Sequence, residues 1–143
     1  VHEGIDSTLA LLSSELKNIK VKKNYDTQLP KIFCYPSELN QVFMNIISNA
    51  IQAVKENGEI TISTKRLDEE NIQISIRDNG VGMPNDVRDK IFDPFFTTKE
   101  IDQGTGLGMS ITYGIVKKHK GDILVNSEPQ KGSEFIITLP IHL

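Results

Sequence analysis

The sequence predicts an α+β protein with two layers, in which helices cover one face of a mixed β-sheet. Apolar residues recur at helical spacing in some segments and alternate at strand spacing in others. The chain has 143 residues, about the length of one ordinary domain, and a domain of this size buries a real core without disulfides. We therefore expect a single domain over residues 1–143.

Helical spacing marks residues 3–17, 36–56 and 107–119. The pattern over 36–56 is the strongest, because Pro36 suits a first helical turn and Asn57-Gly58 supplies a stop. Its apolar positions form one broad face: Leu39, Val42, Phe43, Ile46, Ile47, Ala50, Ile51 and Val54. A short helix is expected at 85–91, and Gly121 is expected to close the helix over 107–119.

Strand spacing marks residues 19–25, 60–64, 72–76, 123–125 and 135–139, with a further short strand expected at 32–34 after Pro30. Residues 67–71 and 129–132 are predicted to be hairpin turns between neighbouring strands. The segment 79–106 has little regular periodicity and is too long for a passive connection. It is therefore the part of the chain where we expect function.

The composition excludes several classes of protein. Apolar residues make up 38% and charged residues 24%, with a net charge of −3 and no basic block, so we expect no nucleic acid partner. The longest uncharged run, Leu39–Val54, is shorter than a membrane span and contains polar residues, so we expect no transmembrane helix and no membrane contact. The first residues lack the basic start and apolar stretch of a signal peptide, and the initiator Met is missing, so we expect a fragment without a signal peptide. The single cysteine, Cys34, fits a reducing, cytoplasmic setting.

Asn45 and Asn49 lie one turn apart on a polar stripe of the helix predicted over 36–56. Asparagine competes for its own backbone inside a helix, so the pair indicates a task other than helix stability. Carboxamide oxygens can complete the octahedral shell of a Mg²⁺ ion that also holds phosphates. A solvated polar face is the alternative, and it is favoured when the pair is considered alone.

The motif Asp78-Asn79-Gly80-Val81-Gly82 follows an apolar strand directly, and Met83-Pro84 comes next. A carboxylate at the end of a buried strand, with glycines that let the backbone approach a ligand, suits acceptance of a hydrogen bond from an exocyclic amine. Asn-Gly after a strand is also typical of a simple tight turn. The second glycine favours the ligand-binding interpretation.

Two further motifs lie in the irregular segment. The run Gly104-Thr105-Gly106-Leu107-Gly108 opens a helix, where backbone amides and the helix dipole favour phosphate, although a flexible hinge is the alternative. Its spacing is neither that of the dinucleotide fingerprint nor that of the P-loop. The run Phe92-Asp93-Pro94-Phe95-Phe96-Thr97-Thr98-Lys99 is expected to pin the loop with a small apolar cluster, and its Lys99 is placed to meet a phosphate.

In this order, the paired asparagines, Asp-x-Gly-x-Gly, Phe-x-x-Phe-Phe and Gly-x-Gly-x-Gly resemble the catalytic ATP-binding domain of bacterial sensor histidine kinases. The resemblance covers nearly the whole chain, including Gly132-Ser133-x-Phe135, and is greatest for the nitrogen-regulation type. That family shares its fold with gyrase, the Hsp90 chaperones and the mismatch-repair ATPases. The resemblance implies an α/β sandwich with a mobile lid over ATP. It also implies that the helix within residues 1–18 continues from, or links to, a dimerisation domain.

The resemblance also implies individual roles. Asn49 would be the Mg²⁺ ligand, Asn45 a neighbour of the metal and phosphates, and Asp78 the acceptor for the adenine amine. Gly80 and Gly82 would hinge the lid. The other nucleotide-binding positions that it implies are Met83, Phe96, Gly104, Thr105, Gly106, Leu107 and Gly108. Many relatives have Lys-Tyr where this chain has Gln52-Ala53, which leaves Lys99 as the substitute lysine for a phosphate.

The function implied is phosphoryl transfer by half of an enzyme. The chain would bind MgATP and donate its γ-phosphate to a histidine on the dimerisation domain of its own kinase, with a response regulator downstream. No phosphoacceptor box is present, because His2-Glu3 lacks the expected continuation, and His119 is interpreted as a partner of the helix dipole. Two alternatives remain open: a nucleotide-binding regulatory module without transfer activity, and an anti-sigma-factor serine kinase. The parent kinase would be cytoplasmic or membrane-anchored.

Overall fold

The computed structural model describes residues 1–93 and 108–142. The helices in these ranges are α1 (His2–Leu11), α2 (Pro36–Ala53), α3 (Asn85–Arg88) and α4 (Gly108–Lys118). The strands are β1 (Lys20–Asn24), β2 (Glu59–Arg66), β3 (Asn71–Asp78), β4 (Asp122–Glu128) and β5 (Gly132–Pro140). In the described part of the chain, no helix is long and apolar enough to cross a membrane.

The strands form one mixed sheet in the order β1-β2-β3-β5-β4. β1 pairs with β2 in parallel, and the other neighbouring strands pair antiparallel. A parallel pair needs a long crossover connection, and α2 lies within the one that joins β1 to β2. The predicted hairpins between β2 and β3 and between β4 and β5 are confirmed.

The core lies between the helices and one face of the sheet, as the sequence predicts. The register aligns Ile62 with Ile76, and Ile74 with Ile137, so the strands present rows of isoleucine to the helices. α2 covers these rows with its apolar face, which is almost entirely buried: Leu39, Val42, Phe43, Ile46, Ile47 and Ala50. Ile5 of α1 and Val116 of α4 belong to the same buried cluster.

Several predicted boundaries are wrong. α1 ends at Leu11 rather than at residue 17, and turns occupy residues 12–18, since Ser13 and Ser14 are weak helix formers. α2 ends at Ala53, and Asn57 takes the left-handed conformation with φ of 59°. Residues 32–34 form no strand, because β1 already occupies the edge of β2; instead, the Phe33 amide donates to the Ile141 carbonyl at 3.4 Å.

The end of α4 is built differently from what the sequence indicates. The left-handed residue is Lys120, with φ of 61°, and not Gly121. The Lys120 amide donates to the Lys117 carbonyl and the Gly121 amide to the Val116 carbonyl, each at 2.9 Å, which is the Schellman pattern. Gly121 is needed for a different reason, because a Cβ there would overlap the carbonyl oxygen of Thr138 on β5.

Candidate functional site

Asp78 is the last residue of β3 and lies in the same inward-facing row as the core isoleucines, with only 3% of its surface exposed. Its Oδ1 accepts a hydrogen bond from the Gly80 amide at 2.8 Å. Burial raises the pKa of the Asp78 carboxyl, while the backbone amides of Gly80 and Ser133 act in the opposite direction. The strand end therefore presents a buried, oriented carboxyl group on the helix-covered face.

The turn after Asp78 packs tightly between α2 and the β4–β5 turn. The Val81 amide donates to the Ala53 carbonyl at 3.0 Å, and a Cβ on Gly80 would overlap that same oxygen. Gly82 has φ of 69°, and a Cβ there would overlap the Glu128 carbonyl. Both glycines are thus required for close backbone approach, and their role as lid hinges stays a prediction.

Asn79 is a site-building residue that the sequence pattern indicated only as part of a tight turn. Its Oδ1 accepts from the Glu59 amide at 2.8 Å, and its Nδ2 donates to the Asn57 carbonyl at 3.1 Å. These bonds fasten the end of β3 to the beginning of β2. The alternation of the strands could not reveal this contact, because it joins residues about 20 positions apart.

The side chain of Asn45 is fully engaged within the protein. Its Nδ2 donates to the Gly108 carbonyl and to Thr112 Oγ1, each at 3.0 Å, and its Oδ1 accepts from Gln41 Nε2 at 2.8 Å. Gly108 is the first residue of α4 and the last glycine of the predicted phosphate motif. Asn45 therefore fixes where α4 begins relative to α2.

Asn49 lies one helical turn further along α2, half-buried, and its carboxamide has no hydrogen-bond partner among residues 1–93 and 108–142. Within the described residues, no protein group occupies this carboxamide, so it is accessible to a ligand. Within the same ranges, no cluster of three His, Cys, Asp or Glu side chains forms a metal site. A cation here would need oxygens from a bound ligand as well as from Asn49.

A second pair of contacts fastens the opposite end of α4 to α2. Glu38 Oε2 bonds Lys118 Nζ at 2.8 Å. His119, 4% exposed, accepts from the Tyr35 amide through Nε2 at 3.0 Å and donates from Nδ1 to the Ile115 carbonyl at 2.8 Å. His119 thus joins the end of α4 to the residue before α2 through hydrogen bonds, in addition to its predicted place near the helix dipole. These contacts, with those of Asn45, show that α4 runs antiparallel to α2.

The remaining predicted site residues divide into two groups. Met83 is half-buried, and its amide donates to Ser127 Oγ at 2.8 Å. The other positions lie outside the described residues, as does most of the predicted lid: Phe96, Lys99, Gly104, Thr105, Gly106 and Leu107.

Residues 34–143 match the family described as "Histidine kinase-, DNA gyrase B-, and HSP90-like ATPase", and the chain belongs to this nucleotide-using family. The catalytic domain of histidine kinase ThkA, in a nucleotide-free form, superposes with a TM-score of 0.87 and 30% identity over 99% of this chain and 95% of that one. Within the family, the chain is therefore a histidine kinase catalytic domain.

Two kinases show the same relationship in sequence. Sporulation kinase E of Bacillus subtilis (strain 168) is 41% identical over 136 residues, which are 94% of this chain and 18% of that protein. Signal transduction histidine-protein kinase AtoS of Escherichia coli (strain K12) is 39% identical over 140 residues, 96% of this chain and 23% of that protein. The chain thus spans about a fifth of the length of these relatives.

Proposed function

We propose that this chain binds MgATP and donates the γ-phosphate to a histidine on a separate dimerisation domain of its own kinase. The observation that carries the proposal is the combination of a buried, oriented Asp78 carboxyl with an Asn49 carboxamide that makes no hydrogen bond to residues 1–93 or 108–142. The turn that follows Asp78 contacts Ala53, one helical turn beyond Asn49, so both groups belong to one edge of the helix–sheet interface.

Asp78 is proposed to accept a hydrogen bond from the adenine amine. Guanine presents a carbonyl at that position, and a buried carboxylate opposes it. Sites built on such buried bonds discriminate by about 10⁴-fold or more. ATP should therefore bind in strong preference to GTP.

Asn49 is proposed to hold Mg²⁺ through its carboxamide oxygen, because that group makes no hydrogen bond within the described part of the chain and hard cations prefer oxygen ligands. When bound, the ion would neutralise charge on the phosphates. Asn45 would act by positioning Gly108 at the start of α4. The positions from Gly104 to Leu107 would line the phosphates, Lys99 would contact one of them, and Phe96 would border the nucleotide.

In the proposed transfer step, a nitrogen of the acceptor histidine attacks the γ-phosphorus in line, and ADP leaves with the electron pair of the broken P–O bond. Such a transfer requires mainly positioning and charge neutralisation from the protein. The residues of this chain hold the nucleotide, while the acceptor histidine belongs to the dimerisation domain. α1 would link or continue to that domain.

Two solved relatives support the proposal. Full-length ShkA, in complex with AMPPNP, superposes with a TM-score of 0.85 and 26% identity over 96% of this chain and 29% of that one. Histidine kinase ThkA in complex with response regulator protein TrrA superposes with a TM-score of 0.82 and 28% identity over 99% of this chain and 40% of that one. We propose a nucleotide and a response regulator as the corresponding ligand and partner here.

Transfer of radiolabelled γ-phosphate tests the proposal. The chain alone with labelled MgATP should bind nucleotide and stay unlabelled. Addition of the dimerisation hairpin of its parent kinase should give a label on the hairpin that is stable in base and lost in acid, as expected for phosphohistidine. Acid-stable label on a serine of a partner would instead establish a serine kinase, and binding without transfer to any partner would establish a regulatory module.

Asn49→Ala provides the matching loss of function. It should abolish the Mg²⁺-dependent part of nucleotide affinity, measured by calorimetry, and with it the transfer. Asn40→Ala is the control, because Asn40 is also a half-buried asparagine of α2 but faces Gly4 of α1. Equal Mg²⁺-dependent affinity in the Asn49 variant and the control would remove Asn49 from the metal site.

A further inference from the structure

The β4–β5 turn, residues 128–132, packs closely against the turn that follows Asp78. The Gln130 amide donates to the Val81 carbonyl at 2.6 Å. Gly132, with φ of 92°, lies so close to the Asp78 carbonyl that a Cβ would overlap it. The two turns are therefore in direct backbone contact, although about 50 residues separate them.

Ser127, the residue before this turn, adds side-chain hydrogen bonds between the two turns. It lies on the inner face of β4 and is 6% exposed. Its Oγ accepts from the Met83 amide at 2.8 Å, contacts the Gly132 carbonyl at 3.1 Å and lies 2.8 Å from Ser133 Oγ. A hydroxyl has one proton and two acceptor positions, and these three partners use all of them.

We propose that Ser127 is a positioning residue of the nucleotide site. The inference rests on the proposed function and extends it to a residue outside the four motifs. Asp78 is oriented by the Gly80 amide, and the backbone from Gly80 to Met83 is held on one side by Ala53 and on the other by Ser127.

The contacts of Ser127 Oγ indicate how loss of this hydroxyl would change the nucleotide site. Without Ser127 Oγ, the Met83 amide has no acceptor on β4, and an unpaired amide in a half-buried position drives the turn towards solvent. The Gly80 amide then shifts relative to the Asp78 carboxyl, so the acceptor offered to the base loses its orientation. The effect falls on the base rather than on the phosphates.

The test compares Ser127→Ala with Ser75→Ala in ADP titrations by calorimetry. Ser75 is the matched control, a nearly buried serine in the middle of β3 whose Oγ donates to Glu134 Oε2 at 2.6 Å on the opposite face of the sheet. Ser127→Ala should weaken ADP binding about tenfold, the equivalent of one net hydrogen bond, and by the same factor with and without Mg²⁺. Ser75→Ala should leave the affinity unchanged, and Ser127→Thr, which keeps the hydroxyl, should restore most of it.

Amide hydrogen exchange supplies a second readout that does not depend on nucleotide. Exchange at Met83 should accelerate in Ser127→Ala, while the centre of α2 keeps its protection. Equal ADP affinity in the wild-type chain and Ser127→Ala, or equal losses in Ser127→Ala and Ser75→Ala, would overturn the inference. A wild-type chain that binds no ADP would instead refute the proposed function, and Met83 exchange would still report whether Ser127 holds the turn.

Discussion

Burial of the Asp78 carboxyl lowers the stability of the fold but suits the proposed binding of adenine. Its carboxyl is buried, which raises its pKa, so between the unfolded and folded pKa values the folded chain binds more protons than the unfolded chain. Stability therefore falls as pH rises through that window, and the whole cost is present above the folded-state pKa. An adenine amine requires a buried hydrogen-bond acceptor of this kind. The proposed binding function therefore explains why a destabilising carboxyl stands at this position.

Asp78→Asn should separate the two effects. The asparagine side chain has one acceptor oxygen for the Gly80 and Ser133 amides, and the cost of burying a charge disappears. The urea midpoint of the variant relative to that of the wild type should therefore rise as pH increases from acid to pH 7. ADP affinity should fall by about 10- to 100-fold, because a charged hydrogen bond is lost. Asp86→Asn, an exposed change in α3, should alter neither quantity. A difference between variant and wild type that stays constant or falls as pH rises would contradict the sign of the pKa shift.

At the scale of single elements, the end of α4 shows two neighbouring residues with different constraints. Lys120 has the left-handed conformation, which costs an L-residue roughly 1–2 kcal/mol, whereas Gly121 is limited by the space around it, above all by the Thr138 carbonyl. Helix ends usually place glycine at the left-handed position, and here the glycine follows it.

Substitutions at these two positions should act in opposite directions. Lys120→Gly should raise the melting temperature by about 2–4 °C, corresponding to roughly 1 kcal/mol. Gly121→Ala should lower stability by about 1–3 kcal/mol, because its Cβ meets the backbone of β5. Thermal unfolding followed by circular dichroism measures both. A gain from Gly121→Ala would mean that the strand yields at this contact.

The sequence predicts elements better than it predicts their ends and cross-contacts. Periodicity identifies α2 and the inward rows of the strands, because burial acts on every residue of an element. It predicts that Gly121 closes α4 but does not identify Lys120 as the left-handed residue, because a lysine carries no signal for that conformation. Asp78 and Asn49 carry recognisable motifs, but the bonds made by Ser127 depend on pairing between distant segments, which no local spacing encodes.

At the scale of the whole molecule, α1 packs into the same core as the sheet, although the family match begins only at residue 34. Ile5 is fully buried in the common core. His2 stacks on Tyr25 with ring centroids 4.2 Å apart, and its Nε2 lies 2.7 Å from Thr64 Oγ1 on β2. Movement of any segment joined to the beginning of α1 would therefore be transmitted directly to the core.

Ile5→Ala tests whether α1 unfolds together with the rest of the chain. It should lower the free energy of unfolding by about 2–5 kcal/mol through loss of apolar contact and the cavity left behind. Leu11→Ala, on the same helix but 74% exposed, should change it by less than about 0.5 kcal/mol. Urea unfolding monitored by circular dichroism gives both values. Similar small losses for the two variants would place α1 outside the domain.

The two rims of the sheet also differ, and β1 forms one of them. A strand of another molecule can pair with an open edge strand. Lysines on an edge strand disfavour such pairing, and β1 carries Lys20, Lys22 and Lys23. Lys22 and Lys23 pair with Glu59 and Asp6 but stay 48% and 45% exposed, so an approaching copy meets a row of ammonium groups. Such repulsion is electrostatic, and at about 1 M salt its range shrinks to roughly 3 Å. We therefore expect the resistance of this rim to self-association to weaken as the salt concentration rises.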